Sequence, residues 1–205
     1  MLLTLGKGSA IMVLGVAGVG KTSFGKILSS HLGVAFIDVP ELVVKKRLYS
    51  SYDSKAQAYV VDLRKLSIAV GSELRGRRGV VASIYAFKPR GVEVELAIVL
   101  RMKPTKLIEV LRQRKYPIDK IRENVSAELI DQPLIEAIRK FGEERVVQID
   151  VTGRKLDEVA RETAEKIRRG ETCSMNQQID WIRELEESGE LEELLRFLES
   201  EKESF

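Results

Sequence analysis

Two hydrophobic periods take turns along this chain. Residues 10–14, 34–37, 79–85, 92–100 and 146–149 are short apolar runs, nearly unbroken in the longest of them, 92–100, and such runs read as strands buried on both faces. Between them, apolar residues recur every three or four positions. Phe24, Ile27, Leu28 and Leu32 mark a helix over 22–32 that Gly33 stops, and Leu63, Leu66, Ala69 and Val70 mark one over 62–74. Further helices are expected over 105–114, 118–141 and 155–169, with Pro117 as the break between the first two. Pro40 can open a helix over 41–48, because its missing N–H is not needed in a first turn. The polar, tyrosine-bearing stretch 50–58 reads as a loop. Strands alternating with helices predict an α/β fold, a five-stranded, mostly parallel sheet with helices on both faces.

Beyond a linker-like stretch at 170–178, Ile179, Ile182 and Leu185 share a face until Ser188-Gly189 interrupts them. Leu191, Leu194, Leu195 and Leu198 then form a second stripe at i, i+3, i+4, i+7. The expected organisation is a main domain over 1–170 and a two-helix C-terminal extension over 171–205. Its apolar stripes suit packing on the body, or docking to a partner or a second copy. Charge divides at the same place. Residues 171–205 hold 11 acidic and 3 basic side chains, so a net +3 for the chain conceals −8 on the extension and +11 on the body. A body this basic suits phosphates, RNA or ribosomal surfaces, and equally a solvated charged surface. The lone Cys173 cannot close an internal disulfide and fits a reducing compartment. The apolar run over 10–19 is too short for a bilayer. Lys7 before it brings a secretory signal to mind, but Gly-Lys-Thr follows directly, and a strand leading into a loop accounts for the same residues. A cytoplasmic chain with no membrane partner is the expectation.

The chemistry concentrates where the first strand ends. Gly15-Val16-Ala17-Gly18-Val19-Gly20-Lys21-Thr22 fits G-x-x-x-x-G-K-[ST] between a strand and a helix. Glycines allow the backbone to turn its N–H groups inward on phosphate oxygens, and the helix opening near Lys21 adds its positive dipole end. Lys21 reaches the β and γ phosphates, and the Thr22 hydroxyl can ligate Mg²⁺. The ligand read from this loop is ATP with magnesium. Such loops serve kinases, switches and motors alike. The length excludes large motors, and no guanine-reading Asn-Lys-x-Asp occurs. A small kinase needs in addition a second phosphate site and a lid that excludes water.

Three stretches resemble one family: Gly18-Val19-Gly20-Lys21-Thr22, then Phe36-Ile37-Asp38-Val39-Pro40-Glu41-Leu42, then Leu48-Tyr49-Ser50-Ser51-Tyr52-Asp53. The likeness continues through Val61-Asp62 and Ala97-Ile98-Val99-Leu100-Arg101. It is clearest at Arg114-Lys115-Tyr116-Pro117-Ile118-Asp119-Lys120-Ile121-Arg122-Glu123-Asn124, followed by Ala127-Glu128. Over about residues 9–169 the chain is similar to adenylate kinase isoenzyme 6, the nuclear and archaeal branch of the nucleoside monophosphate kinases. The resemblance implies a P-loop fold with ATP on the loop. AMP or another nucleoside monophosphate would lie beside residues 38–62, with a short lid over about 112–122. It implies that Lys21 and Arg114 are catalytic. Gly15, Gly18, Val19, Gly20, Lys21, Thr22, Ser23, Arg114 and Lys120 would hold the nucleotide, with Thr22 on the metal. Arg114 also reads as an ordinary surface arginine, and Arg122 is a weaker candidate. Tyr52 and Asp53 could shape the monophosphate site or simply line a polar loop. Members of that family also hydrolyse ATP on a ribosomal platform protein, so the resemblance implies a small-subunit ribosomal protein as partner and a role in subunit assembly.

One departure stands out. The family has an acid at the end of its third strand and a histidine two residues on. Ungapped counting puts the acid at Ala82 and the histidine at Ile84, and a shift of one gives Ser83 and Tyr85. Loss of a group that orients the metal costs about 10–100-fold, and loss of a general base about 10²–10⁴. Asp38, or else Glu41, could substitute from the end of the second strand, although Asp38 reads equally as a helix N-cap. His31 reads as a dipole-favoured residue at a helix end, and no Cys/His cluster suggests a structural metal. Three functions remain: adenylate-kinase-type phosphotransfer, with or without ATP hydrolysis; a degenerate kinase acting as a nucleotide-gated assembly factor; and direct RNA binding through the basic body, which would show a steep salt dependence.

Overall fold

An unbroken apolar strand is stable only where both its faces are covered, and β1 (Gly8–Leu14) takes the middle of the sheet. The computed structural model describes residues 8–53 and 58–200, and of residues 52, 53 and 58 the backbone alone. With β2 (Ala35–Asp38), β5 (Arg78–Ala82), β6 (Val92–Arg101) and β7 (Val146–Asp150), β1 builds a five-stranded sheet ordered β2-β5-β1-β6-β7. Every neighbouring pair runs parallel, so all five strands deliver their C-terminal ends to one edge.

The pleat sorts β1 between two cores. Ile11 and Val13 face a layer made by α1 (Lys21–Leu32), α4 (Pro104–Gln113), α5 (Ile118–Leu129) and α7 (Leu156–Arg169). Ala10, Met12 and Leu14 face α2 (Val39–Lys46), α3 (Leu63–Glu73) and α6 (Gln132–Phe141). Asp62 starts α3 by accepting the N–H groups of Arg64 and Lys65, both at 3.0 Å.

Four expectations need revision. The stretch read as a loop is an antiparallel hairpin, β3 (Tyr49–Asp53) with β4 (Ala58–Val61), and the rings of Tyr49 and Tyr59 stack at 4.3 Å. Its serines disguise it, since one exposed face of a two-stranded ribbon needs no apolar residue. The tip, 54–57, and the side chains of Tyr52 and Asp53 lie outside the described residues. The single helix expected over 118–141 is two, because Asp131 turns left-handed (φ 57°) to present its carboxylate to Arg101. The strand expected to reach Tyr85 ends at Ala82. There Ser83 Oγ accepts the Tyr85 N–H and donates to the Tyr85 carbonyl, both at 2.9 Å, which closes a turn.

The fourth revision concerns the stretch read as a linker. It holds a 3-10 turn (Thr172–Met175), and its next residues cover the sheet's edge. Asn176 Oδ1 and Gln177 Oε1 accept the outward N–H groups of Gln148 and Asp150 on β7, at 3.0 and 2.6 Å. The chain then forms α8 (Trp181–Glu187) and α9 (Leu191–Glu199). Met175, Trp181, Leu185 and Leu194 are buried in the core shared with α5 and α7. No helix among the described residues is long and apolar enough to cross a membrane.

Candidate active site

The loop after β1 is shaped by three glycines in conformations that side chains disfavour. Gly15, Gly18 and Gly20 have φ of 134°, 97° and 94°. Close packing enforces the choice: a Cβ on Gly18 would stand 2.9 Å from side-chain carbons of Leu107 and Leu111, and one on Gly20 2.5 Å from Leu156. Val19 is buried and anchors the loop in the core beneath. Gly20 caps α1 without any side-chain bond. The first N–H groups of a 12-residue helix are therefore left for an anion. Thr22 and Ser23 are exposed in that first turn.

Lys21 is half-buried, and its Nζ donates to the Val16 carbonyl at 2.7 Å. Burial pulls its amine down to about 8. Asp38 opposes that pull, Arg114 adds to it, and Glu128 opposes it more weakly. A partly desolvated ammonium whose bonded partner is a carbonyl, beside open helix N–H groups, fits a phosphate.

Above the loop lies a cleft of about 730 Å³, bounded by Gly15, Val16 and Ala17 on one side and by Arg114, Lys120 and Asn124 on the other. Arg114 sits at the C-terminal end of α4, and the turn to Pro117 passes through a left-handed Lys115 (φ 58°). Lys120 lines the cleft but is paired with Glu123 at 2.6 Å, so it serves a phosphate less readily than its position suggests. Asn124 reaches the loop itself, accepting the Ala17 N–H at 2.9 Å and donating to the Lys120 carbonyl at 2.7 Å. Its place in the Arg114–Asn124 stretch was the only signal for it in the sequence.

Behind this wall, Glu128 Oε1 takes three bonds, from Arg101 Nε (2.7 Å), the Met102 N–H (3.2 Å) and the Trp181 indole (2.9 Å). Burial pushes its carboxyl up, against Arg101 and these bonds. Its other oxygen is buried with no hydrogen-bond partner among the described residues. In the sequence, Glu128 stands out only as the end of the Ala127-Glu128 match.

The end of β5 carries no carboxylate: Ala82 and Ser83 are both buried, and the Ser83 hydroxyl is spent on its turn. Parallel pairing, however, sets Asp38 directly beside Ala82. Asp38 caps α2 through one oxygen, 3.2 Å from the Glu41 N–H, and its field reaches Lys21. The cap and the carboxylate at the sheet edge are thus the same residue. A second hollow, about 220 Å³ and apolar, lies between α2 and the hairpin, walled by Val39, Pro40, Val43, Tyr59 and Val61. Ile84 and Tyr85 border both hollows. His31 is remote from both. It lies in the last turn of α1, and its carbonyl accepts from Arg168.

A sequence profile described as an AAA domain matches residues 11–131. A protein of Thermococcus kodakarensis named “Putative adenylate kinase” is 34% identical over 78% of this chain and 86% of its own. The chain belongs to this nucleoside monophosphate kinase-like family. A relative of the same name from Methanocaldococcus jannaschii is 32% identical over 77% of this chain and 85% of its own. Another, from Pyrobaculum aerophilum, is 35% identical over 93% of this chain and 94% of its own, a span that reaches well into the C-terminal extension. Among solved structures, a gluconokinase from Sinorhizobium meliloti superposes with a TM-score of 0.52 at 22% identity, over 80% of this chain and 93% of that one. A shikimate kinase from Bacteroides thetaiotaomicron gives 0.50 at 16%, over 78% and 98%. These two share the fold, the parallel α/β architecture of P-loop kinases.

Proposed function

We propose that this family member transfers the terminal phosphoryl group of ATP to AMP or another nucleoside monophosphate, yielding two diphosphates. The observation that carries the reading is the pair of adjoining hollows, one over a glycine loop with a desolvated lysine, the other apolar, that meet at Ile84 and Tyr85. A transferase needs donor and acceptor in line, which positions the acceptor oxygen on the γ-phosphorus opposite the departing β–γ bridging oxygen.

In this reading the loop N–H groups and the start of α1 hold the triphosphate, and Lys21 spans its β and γ oxygens. Arg114 swings over the transferred group and neutralises the charge that develops there. Among the described residues no three acidic, histidine or cysteine side chains converge into a metal cage, so Thr22 and the phosphates would hold magnesium, which supplies charge neutralisation. Asp38, beside the position where family resemblance expects an acid, orients water around that site. The base of the acceptor lies against Tyr59, Val39 and Val43.

Coupled-assay turnover of ATP with AMP, abolished by Lys21→Ala, is the expected result. Absence of both transfer and ATP hydrolysis in folded chain that still binds ATP would overturn the proposal. Asp38→Asn is expected to lower turnover about 10–100-fold, the usual cost of losing a group that orients a metal. An Asp38→Asn chain with undiminished turnover would remove Asp38 from the mechanism.

The bare end of β5 favours a second reading, a nucleotide-gated binding module with weak catalysis. It predicts that a partner binds with different affinity in the ATP, ADP and nucleotide-free states, since a ligand shifts an equilibrium only by differential affinity. Equal affinity in all three excludes it. A small-subunit ribosomal protein as that partner, and proximity to RNA, rest on the resemblance and on the basic body. Gain of turnover in Ala82→Asp from a silent parent would establish the degenerate state.

A further inference from the structure

Helix α5 stands between the phosphate loop and the C-terminal helices and makes directed contacts with both. Toward the loop, Asn124 holds the Ala17 N–H. Toward the C-terminus, Arg122 donates through Nε to the Phe197 carbonyl at 2.9 Å and through a terminal nitrogen to Ser200 Oγ at 2.7 Å. Its guanidinium also stands 5.5 Å from the Phe197 ring centre, and that of Arg112, in the last turn of α4, stands 5.4 Å from it. One aromatic ring on α9 thus bridges the two helices that the lid turn, residues 114–117, connects. One turn along α5 from Asn124, toward the buried end, the indole of Trp181 fixes Glu128.

Leu185 and Leu194 seat the extension on the body, and Phe197 packs half-buried against the same core, but packing alone does not call for two guanidinium groups over its ring. We propose that Phe197 is a positioning residue for nucleotide binding: through Arg112 and Arg122 it holds α4 and α5 at the spacing that closes the lid turn over the phosphate loop, and the C-terminal helices are thereby coupled to the nucleotide. This rests on the reading that the cleft takes a triphosphate. It does not require that transfer to AMP occurs. Closure of the lid turn tightens the Phe197 bridge, and by linkage the bridge tightens nucleotide binding by the same factor. Trp181, the only tryptophan, reports from the far end of α5 and stands 5.8 Å from the Arg101 guanidinium, so movement of α5 alters its surroundings.

The experiment uses the full chain with Mg·ATP as the probe, titrated calorimetrically and by Trp181 emission. Expected are an emission change on Mg·ATP binding and, in Phe197→Ala, affinity weakened about fivefold, the low end of what two cation–π contacts are worth. Phe197→Tyr, which keeps the ring, restores it. Arg112→Gln, a surface change that spares the core, weakens binding in the same direction and guards against an unfolded Phe197→Ala chain. Flat Trp181 emission under calorimetrically proven binding, with both variants binding as the parent does, overturns the proposal. So does a loss that Phe197→Tyr fails to rescue, which marks a merely structural ring. Failure of the kinase reading shows separately, as Mg·ATP binding without turnover of AMP.

Discussion

Lys21 carries its charge at a cost that a bound phosphate would remove. Its amine is pulled from 10.5 to about 8 by burial, a penalty on the charged fold of about 3 kcal/mol. Because the folded state releases this proton more readily than the unfolded chain, the penalty is fully present below pH 8 and fades as pH rises toward 10.5. Lys21→Met is therefore expected to stabilise the nucleotide-free chain by about 1–3 kcal/mol at pH 7, with an advantage over the parent that shrinks above pH 8. Urea unfolding across pH checks both statements. A phosphate restores the charged form, so ATP binding near pH 9 is expected to take up protons, measurable by calorimetry in buffers of different ionisation enthalpy. The residues of the glycine loop were readable one after another, since eight consecutive positions carry the whole motif. Asn124 was not: its bond to Ala17 spans 107 positions, and no local pattern encodes a contact of that reach.

At the scale of elements, two left-handed residues with nearly equal φ lead to opposite expectations. Arg47 (φ 52°) ends α2 on the surface, whereas Asp131 (φ 57°) turns the chain between α5 and α6 and presents its carboxylate to the buried Arg101. Arg47→Gly should stabilise by about 0.5 kcal/mol through relief of the left-handed backbone. Asp131→Gly should destabilise by about 1–3 kcal/mol, because a buried guanidinium loses a partner. Thermal melts of the two variants separate the cases by sign. The same residue explains why one helix was expected where two stand. Apolar spacing continues across Asp131, and only the position of Arg101 on a different strand reveals that the chain must turn there. The hairpin β3–β4 escaped for a complementary reason. Ser50 and Ser51 are exposed, and the stacked Tyr49–Tyr59 pair joins residues in different strands.

Over the whole molecule, the C-terminal helices are continuous with the core behind the phosphate loop. Met175, Trp181, Leu185 and Leu194 pack with Ile121, Val125 and Val159, and the indole donates to Glu128 Oε1. A chain ending at Gly170 is expected to lose at least about 4 kcal/mol, given what single buried large side chains contribute, and to bind an apolar-surface dye that the full chain does not. Unchanged melting would show that the core closes without them. Amphipathic spacing foretold two helices here, but the acidic composition drew the eye to their outer face and gave no hint of a tryptophan hydrogen-bonded to a carboxylate 53 positions away.

The sequence by itself determined what depends on near neighbours: the glycine loop with its lysine, the alternation of strand and helix, and the two amphipathic stripes at the end. Steric freedom, helix capping and pleat periodicity act over a few residues, so they can be read from a few residues. Tertiary structure alone decided what depends on strand order and register. It set Asp38 beside Ala82, placed Tyr85 between two hollows, hung Asn124 over Ala17, and set Phe197 between Arg112 of α4 and Arg122 of α5. Each of these juxtaposes residues that the chain keeps far apart, and the free energy that joins them belongs to the packed sheet and its helices as a whole.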